Sequence, residues 1–495
     1  MVKVVTAQSR PTAARRLGLA LLVVALGAVG LGAAGLLSAS GAELPAATPQ
    51  ADCGPGSRPE SGIQGRVPAA DYASGRAGRG YRCNTRQVAH HGQTGGFKVL
   101  RYTDRRGHTC AYYDSTRVFP TDVPFQGAEG LGVVVLDMDD PAHPRQTANL
   151  TSLAMLSPHE SLLLHQGRGL LAAVMGNAFA GPGILDVYDL RADCRHPRKV
   201  SSTPTALLGH ESGWAPDGRT LYISGSGGQT FAAIDLTDPA HPERVFQQYG
   251  VNYHGLRLSG DGRTMYVANI GNDLSGATLP GEGLRILDVS EIQDRDPDPA
   301  VHVLSNLTWP EGSIPQVAQP FTRDGHDYLL EVDEFSRVGI NDGSLDQARA
   351  PVGAARIIAV DDPRHPRVVS NLRLEVQQPG GRKAAMGDPG TSTPLGGYTA
   401  HYCSVPYRTD PRIVACSMIA SGLRVFDTSD LRHPVEIAYF NRPRTPANPL
   451  DNRAGATAMS QPAWDVARRS VWYTDGTSGF YVVRLTNGTG RLLAR

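Results

Sequence analysis

Short apolar runs recur along most of this chain, and polar turns separate them. Five of them, GVVVLDM (132–138), ILDVYDL (184–190), FAAIDL (231–236), ARIIAV (355–360) and GLRVFDT (422–428), lead into the same turn, Asp-x-x-His-Pro. It reads DPAHP at Asp140–Pro144, DCRHP at Asp193–Pro197, DPAHP at Asp238–Pro242, DPRHP at Asp362–Pro366 and DLRHP at Asp430–Pro434. A sixth copy, GLRILDVSEIQDRDPDP, lies between the third and fourth and has lost the His-Pro. Apolar runs of this length, rich in β-branched residues and bounded by turn formers, predict strands. Their recurrence at intervals of tens of residues predicts a repeat architecture.

Each repeat has the same order of elements. A short strand leads to a tight turn, a second strand, a Gly-led third strand, the Asp-x-x-His-Pro turn and a fourth strand. The Asp217–Gly218 and Asp261–Gly262 dipeptides mark hairpins, because glycine reaches positive φ without steric cost. Four antiparallel strands per repeat make a propeller blade. The predicted class is therefore all-β, a β-propeller of four-stranded blades. Repeats near 85–151, 153–201, 207–248, 252–307, 314–376, 398–442 and 460–490 give seven blades, with six or eight as the alternatives. The seventh repeat lacks an evident fourth strand, which residues 80–90 or the C-terminus would have to supply.

The turn has a local explanation. An Asp at the end of a strand accepts the backbone N–H groups that follow it. The residue before proline is driven to extended geometry, so His-Pro starts the next strand. A proline there also places that strand at the blade's outer edge. On this reading His143, His196, His241, His365 and His433 punctuate the perimeter and are not site residues.

The termini and charge narrow the compartment. Lys3, Arg10, Arg15 and Arg16 precede an uncharged run from Leu17 to Leu37, and small residues follow through Ala42. Residues 1–42 thus read as a secretory signal peptide, or, uncut, as an N-terminal membrane anchor. Residues 43–84 read as an extracytoplasmic lead-in, 85–490 as the propeller and 491–495 as a tail. Taking those four from the 48 basic residues leaves 44 against 47 acidic ones, a net charge of −3, and nothing in the sequence resembles the basic patch that nucleic-acid binding needs. Six cysteines in an exported chain predict disulfides. Cys403 and Cys416 lie symmetrically about a hairpin turn and form the clearest pair. Cys53, Cys83, Cys110 and Cys194 allow three connectivities, of which Cys83–Cys110 with Cys53–Cys194 is preferred.

Runs such as GLRVFDTSDLRHP and FAAIDLTDPAHP resemble those of LVIVD-repeat β-propeller proteins, over about residues 85–490. The lead-in SRPESGIQGRVPAADYASGRAGRGYRCN is similar to the segment preceding the propeller in actinobacterial members. The resemblance implies a propeller exported from the cytoplasm and brings no catalytic residues with it.

Candidate chemistry comes from position within the repeat. His159, His210, His254 and His401 each open the innermost strand of a blade, and Gln316 and Gln461 occupy similar places. Innermost strands line the central channel, so these side chains can converge at its mouth, where several imidazoles would suit zinc, copper or iron. Glu160 and Glu211, next to two of the histidines, would orient them or bind directly. Asp333 and Glu334 are further acidic candidates. The same end of the ring carries the long connections Gly271–Gly283, Val376–Tyr398 and Asn441–Ser460. Two functions follow. The leading one is a binding or scaffold module that shows these loops to an envelope protein or a small ligand, touching the membrane only through the N-terminal segment. The alternative is a metal-dependent enzyme, such as an oxidoreductase, with the four histidines as ligands. Convergence of those imidazoles on one point is what separates the two. The run Gly30–Gly35 matches a dinucleotide fingerprint only inside the signal segment, and no nucleophile elbow or P-loop is present.

Overall fold

The computed structural model describes residues 45–115, 129–175, 183–206, 209–226, 229–271, 283–309, 313–335, 352–391, 397–445 and 454–494. Residues 1–42, expected to be a signal peptide or membrane anchor, and the tips of the three long connections lie outside these residues.

Seven antiparallel sheets succeed one another along the chain. Blade one comprises Val99–Thr103, Thr109–Asp114, Val133–Asp137 and Arg145–Leu150. Blades two to five repeat this plan, beginning with Leu163–His165, Gly213–Trp214, Tyr253–Leu258 and Ile314–Arg323. Blade six begins with Tyr402–Ser404 and carries a fifth strand, Tyr81–Cys83, on its outer edge. Blade seven is Ala463–Asp465, Ser470–Asp475 and Gly479–Leu485, and Thr85–His91 pairs with the last of these as its fourth strand. The molecule is a seven-bladed β-propeller. Its ring is closed by an N-terminal strand laid against C-terminal ones, which resolves the closure left open by the sequence.

Burial follows strand position. Val133–Asp137 and Thr109–Asp114 are buried at every residue, whereas the fourth strand Arg145–Leu150 is exposed or half-buried until its end. The core lies between blades. Tyr222 and Phe231 of blade three pack on Tyr253 and Leu256 of blade four, and equivalent clusters fill the other interfaces. The first strands are innermost, and a parallel bridge joins Lys98 of blade one to Gln461 of blade seven.

The Asp-x-x-His-Pro turns have the predicted chemistry and one further bond. In four of them the Asp carboxylate accepts both the N–H two residues on and the His Nδ1–H, the latter at 2.7 Å (His143), 2.8 Å (His241), 2.7 Å (His365) and 2.9 Å (His433). In the decayed copy a helical turn, Ser290–Asp294, replaces the motif.

The lead-in is docked against the propeller. Glu436 donates its N–H to Pro49, Gln64 bonds the Glu436 carboxylate, and Arg66 pairs with Asp388 at 2.8 Å. The fully buried Arg424 guanidinium is held between Glu60 of the lead-in and Glu436. Cys403 and Cys416 face each other in register and are bonded. The preferred pairing of the other four cysteines is overturned, for the bonds are Cys53–Cys83 and Cys110–Cys194. The reason is topological. Cys83 belongs to the strand added to blade six, where the lead-in brings Cys53, while Cys110 of blade one faces the Asp-x-x-His-Pro turn of blade two, which contains Cys194. Three disulfides suit a location outside the cytoplasm. Among the described residues, no helix is long and apolar enough to cross a membrane.

Candidate metal centre

Four of the repeats place a histidine at or just before the start of the inner strand, each in a different local conformation. Blade two forms a short helical turn there, His159–Ser161, with His159 at φ +50°, a left-handed conformation that a non-glycine residue adopts only at a cost of roughly 1–2 kcal/mol. His210 precedes the inner strand of blade three, His254 is the second residue of that of blade four, and His401 immediately precedes that of blade six. Glu334 arrives differently, from the end of the second strand of blade five, His326–Glu334.

These residues converge. His210 Nε2 and His254 Nε2 are 2.9 Å apart. Glu160 Oε2 lies 3.4 Å from His210 Nε2 and 3.6 Å from His254 Nε2, and its Oε1 lies 3.2 Å from His401 Nε2. Glu334 bridges His254 Nε2 at 3.0 Å and His401 Nε2 at 2.9 Å. The His159 ring stands 4.6 Å from that of His210, and the donor atoms of His159, Glu160 and His210 lie within 4.8 Å of one another, as do those of Glu160, Glu334 and His401. Four imidazoles and two carboxylates from blades two to six therefore share one pocket, with Glu160 at its centre.

Two imidazoles are oriented from behind. His254 Nδ1 bonds the carbonyl of Gln316 at 3.1 Å, and His401 Nδ1 bonds that of Met459 at 2.7 Å. An Nδ1–H held by a carbonyl turns Nε2 inward, as metal-binding histidines require. Phe97 stacks on His159 at 4.6 Å and lies 5.3 Å from His401, so an apolar wall adjoins the cluster. His254, His401, Glu160 and Glu334 are buried, while His159 and His210 are half-buried and form the accessible side.

The electrostatics divide the histidines into two kinds. Burial alone would lower His254, but Glu334 and Glu160 outweigh it and push it up to about 9. His401 is likewise lowered by burial and more than restored by the same two carboxylates, to about 9. Burial holds His159 below the usual imidazole range and, with the His254 charge, His210 well below it. Burial would raise the two carboxyls, yet the histidines hold Glu160 well below the carboxylate range and Glu334 below it. Two imidazolium charges thus balance two carboxylates, the charge a divalent cation would supply in their place. His159 Nδ1, Glu160 Oε2 and His401 Nε2 are buried without a well-directed hydrogen bond, which fits groups aimed at an ion.

The other acidic candidates lie elsewhere. Glu211 belongs to a neighbouring buried group in which it pairs with Lys98, with Arg257 at 2.6 Å and with the Tyr402 hydroxyl at 2.5 Å. Lys98 also reaches Gln461 at 3.3 Å and lies over the Tyr402 ring, and burial brings its pKa down to about 8. Lys98 occupies the blade-one position equivalent to the histidines, which a search for histidine alone passes over. Asp333 pairs with Arg356 at 2.8 Å within blade five and accepts from the indole of Trp309, which directly follows the last strand of blade four. Gln316 serves the cluster through its backbone carbonyl.

No family model and no curated protein matches the chain. Among solved structures it is similar to Kuenenia stuttgartiensis hydrazine synthase, at 13% identity over 80% of this chain and 97% of that one, with a TM-score of 0.48. The Cps50 β-propeller domain of Myceliophteria thermophila gives 11% identity over 80% and 99%, with a TM-score of 0.47. The Pseudomonas aeruginosa periplasmic gluconolactonase gives 14% over 69% and 87%, with a TM-score of 0.42. Likeness at this level carries nothing about chemistry, and the propeller assignment rests on the chain's own seven sheets.

Proposed function

We propose that this chain is an extracytoplasmic metalloprotein of the LVIVD-repeat type, which holds a divalent transition metal at the channel mouth and uses it on a small substrate. One observation carries the reading: four imidazoles and two carboxylates from five blades meet in a single pocket. Imidazole-rich sites suit iron, copper or zinc. His254, His401 and Glu334 form the buried part of the donor set, Glu160 links it to His159 and His210, and an exogenous ligand would approach past the last two. The metal would supply Lewis acidity or electron transfer. The protein's part is to fix the Nε2 atoms through Gln316 and Met459 and to line one side with Phe97. A binding or scaffold role is compatible with this centre, and the tips of the loops it would use lie outside the described residues.

The test is elemental analysis of protein purified without a metal-affinity tag, beside a His254→Ala, His401→Ala variant. The expected outcome is one equivalent of a first-row transition metal, lost from the variant while circular dichroism still shows the folded propeller. Protein that stays metal-free after folding in metal-supplemented medium would return the histidines to a structural role.

A further inference from the structure

On the outer rim, far along the blade from the channel, the lead-in and the two closing strands enclose a cleft of about 620 Å³. Its walls include Arg79, Arg82, Arg86 and Arg442, with Gln87 and Asn487 among the neutral residues, and no Asp or Glu lines it. Two cross-strand pairs bring like charges face to face here. Arg58 is bridged opposite Arg82, and Arg86 is paired in register with Arg484. Like charges directly opposite in a sheet destabilise it, and sequences usually avoid them.

Among the described residues, the donors of this cluster go to backbone carbonyls. Arg58 and Arg442 spend donors on the backbone carbonyl of Arg79, and Arg82 bonds that of Gly56 at 3.0 Å. Among the described residues no carboxylate pairs with Arg58, Arg79, Arg82, Arg86 or Arg442. Burial, and after it the neighbouring guanidiniums, press Arg58 below the ordinary arginine range. Backbone carbonyls hold these side chains in place without cancelling their charge, so the field in the cleft stays positive. Guanidinium forks match the oxygens of phosphate in pairs, and several forks around a concavity match more than one phosphoryl group.

We propose that this cleft binds a phosphate-bearing anion of about diphosphate size, through Arg79, Arg82, Arg86 and Arg442. The site is separate from the channel histidines and independent of any metal.

The probe is inorganic pyrophosphate, titrated calorimetrically into the full chain at constant ionic strength. The His254→Ala, His401→Ala background keeps chelation at the channel out of the signal. Saturable one-to-one binding and a raised Tm are expected. Each lost charge-assisted contact should weaken binding about tenfold, so Arg86→Gln with Arg442→Gln should lose roughly a hundredfold. Arg86→Lys with Arg442→Lys, which keeps the charge and loses the paired donors, should bind more tightly than the Gln pair and more weakly than the parent. Without ligand the Gln pair should melt no lower than the parent, since repulsion is relieved. Absence of binding at millimolar pyrophosphate, equal affinity in the Gln pair, or a lower unliganded Tm in that pair would overturn the proposal. Phosphatidylglycerol vesicles separate the sources of the phosphate. Co-sedimentation reversed by pyrophosphate assigns a lipid headgroup, and pyrophosphate binding without co-sedimentation assigns a soluble ligand.

Discussion

Behind the channel cluster, single residues set the backbone that carries it. Asp114 is fully buried and accepts the N–H groups of Phe97 at 3.2 Å and Lys98 at 3.1 Å. It therefore fixes both the residue that stacks on His159 and the one that pairs with Glu211. Gly96 makes this approach possible, since a Cβ there would stand 1.7 Å from Asp114 Oδ2. Burial raises the Asp114 carboxyl to about 7. A carboxyl whose pKa is raised by folding binds its proton more tightly in the native state, so it draws stability away as pH rises from about 4 towards 7. Asp114→Asn should therefore flatten the fall in stability across that interval, by on the order of 1 kcal/mol per pH unit, beside a constant offset for the altered acceptor. Urea unfolding of both proteins at pH 4.5, 5.5 and 7 checks this, and parallel profiles would contradict it. The ring of channel residues was partly legible at this scale, because four repeats spend the same position on histidine. Glu334 was visible only as one acid among several, since it reaches the pocket from the far end of a neighbouring strand.

Between elements, the disulfides do unequal work. Cys110–Cys194 closes a separation of 84 residues and ties blade one to blade two, whereas Cys403–Cys416 closes 13 within one hairpin. On the chain-entropy account, the longer closure contributes about 1.5 kcal/mol more. Replacing Cys110 and Cys194 by serine should therefore lower the unfolding free energy by more than the same change at Cys403 and Cys416, as chemical denaturation would show. Equal losses would mean that native-state contacts outweigh loop entropy. The hairpin pair could be read directly from its symmetry about a turn. The other two could not, because they depend on where the lead-in docks. That segment shows no alternating apolar pattern, and it is anchored through buried polar groups such as Glu60 against Arg424. Its partners are hundreds of residues away, and nothing local announces them. The arginine cleft was hidden for the same reason, since its residues come from the lead-in, blade six and the closing strand.

For the whole molecule, the repeats made the architecture legible and the closure supplied what they lacked. The strand Thr85–His91 buries only part of its length but completes blade seven along Gly479–Leu485. Removing residues 45–91 should leave that blade three-stranded and abolish cooperative thermal unfolding, as calorimetry would show; a single sharp transition in the truncated chain would mean that the ring closes without its fastener. The closure also sets an order in time. The fastening strand leaves a ribosome or a translocation pore early, and the strand it must meet leaves last. Blades can form one by one as they emerge, but the circle stays open until the chain is fully delivered. A histidine and glutamate cluster drawn from blades two to six is then held in its final spacing only at that moment, so loading of the proposed centre would be a late event of maturation.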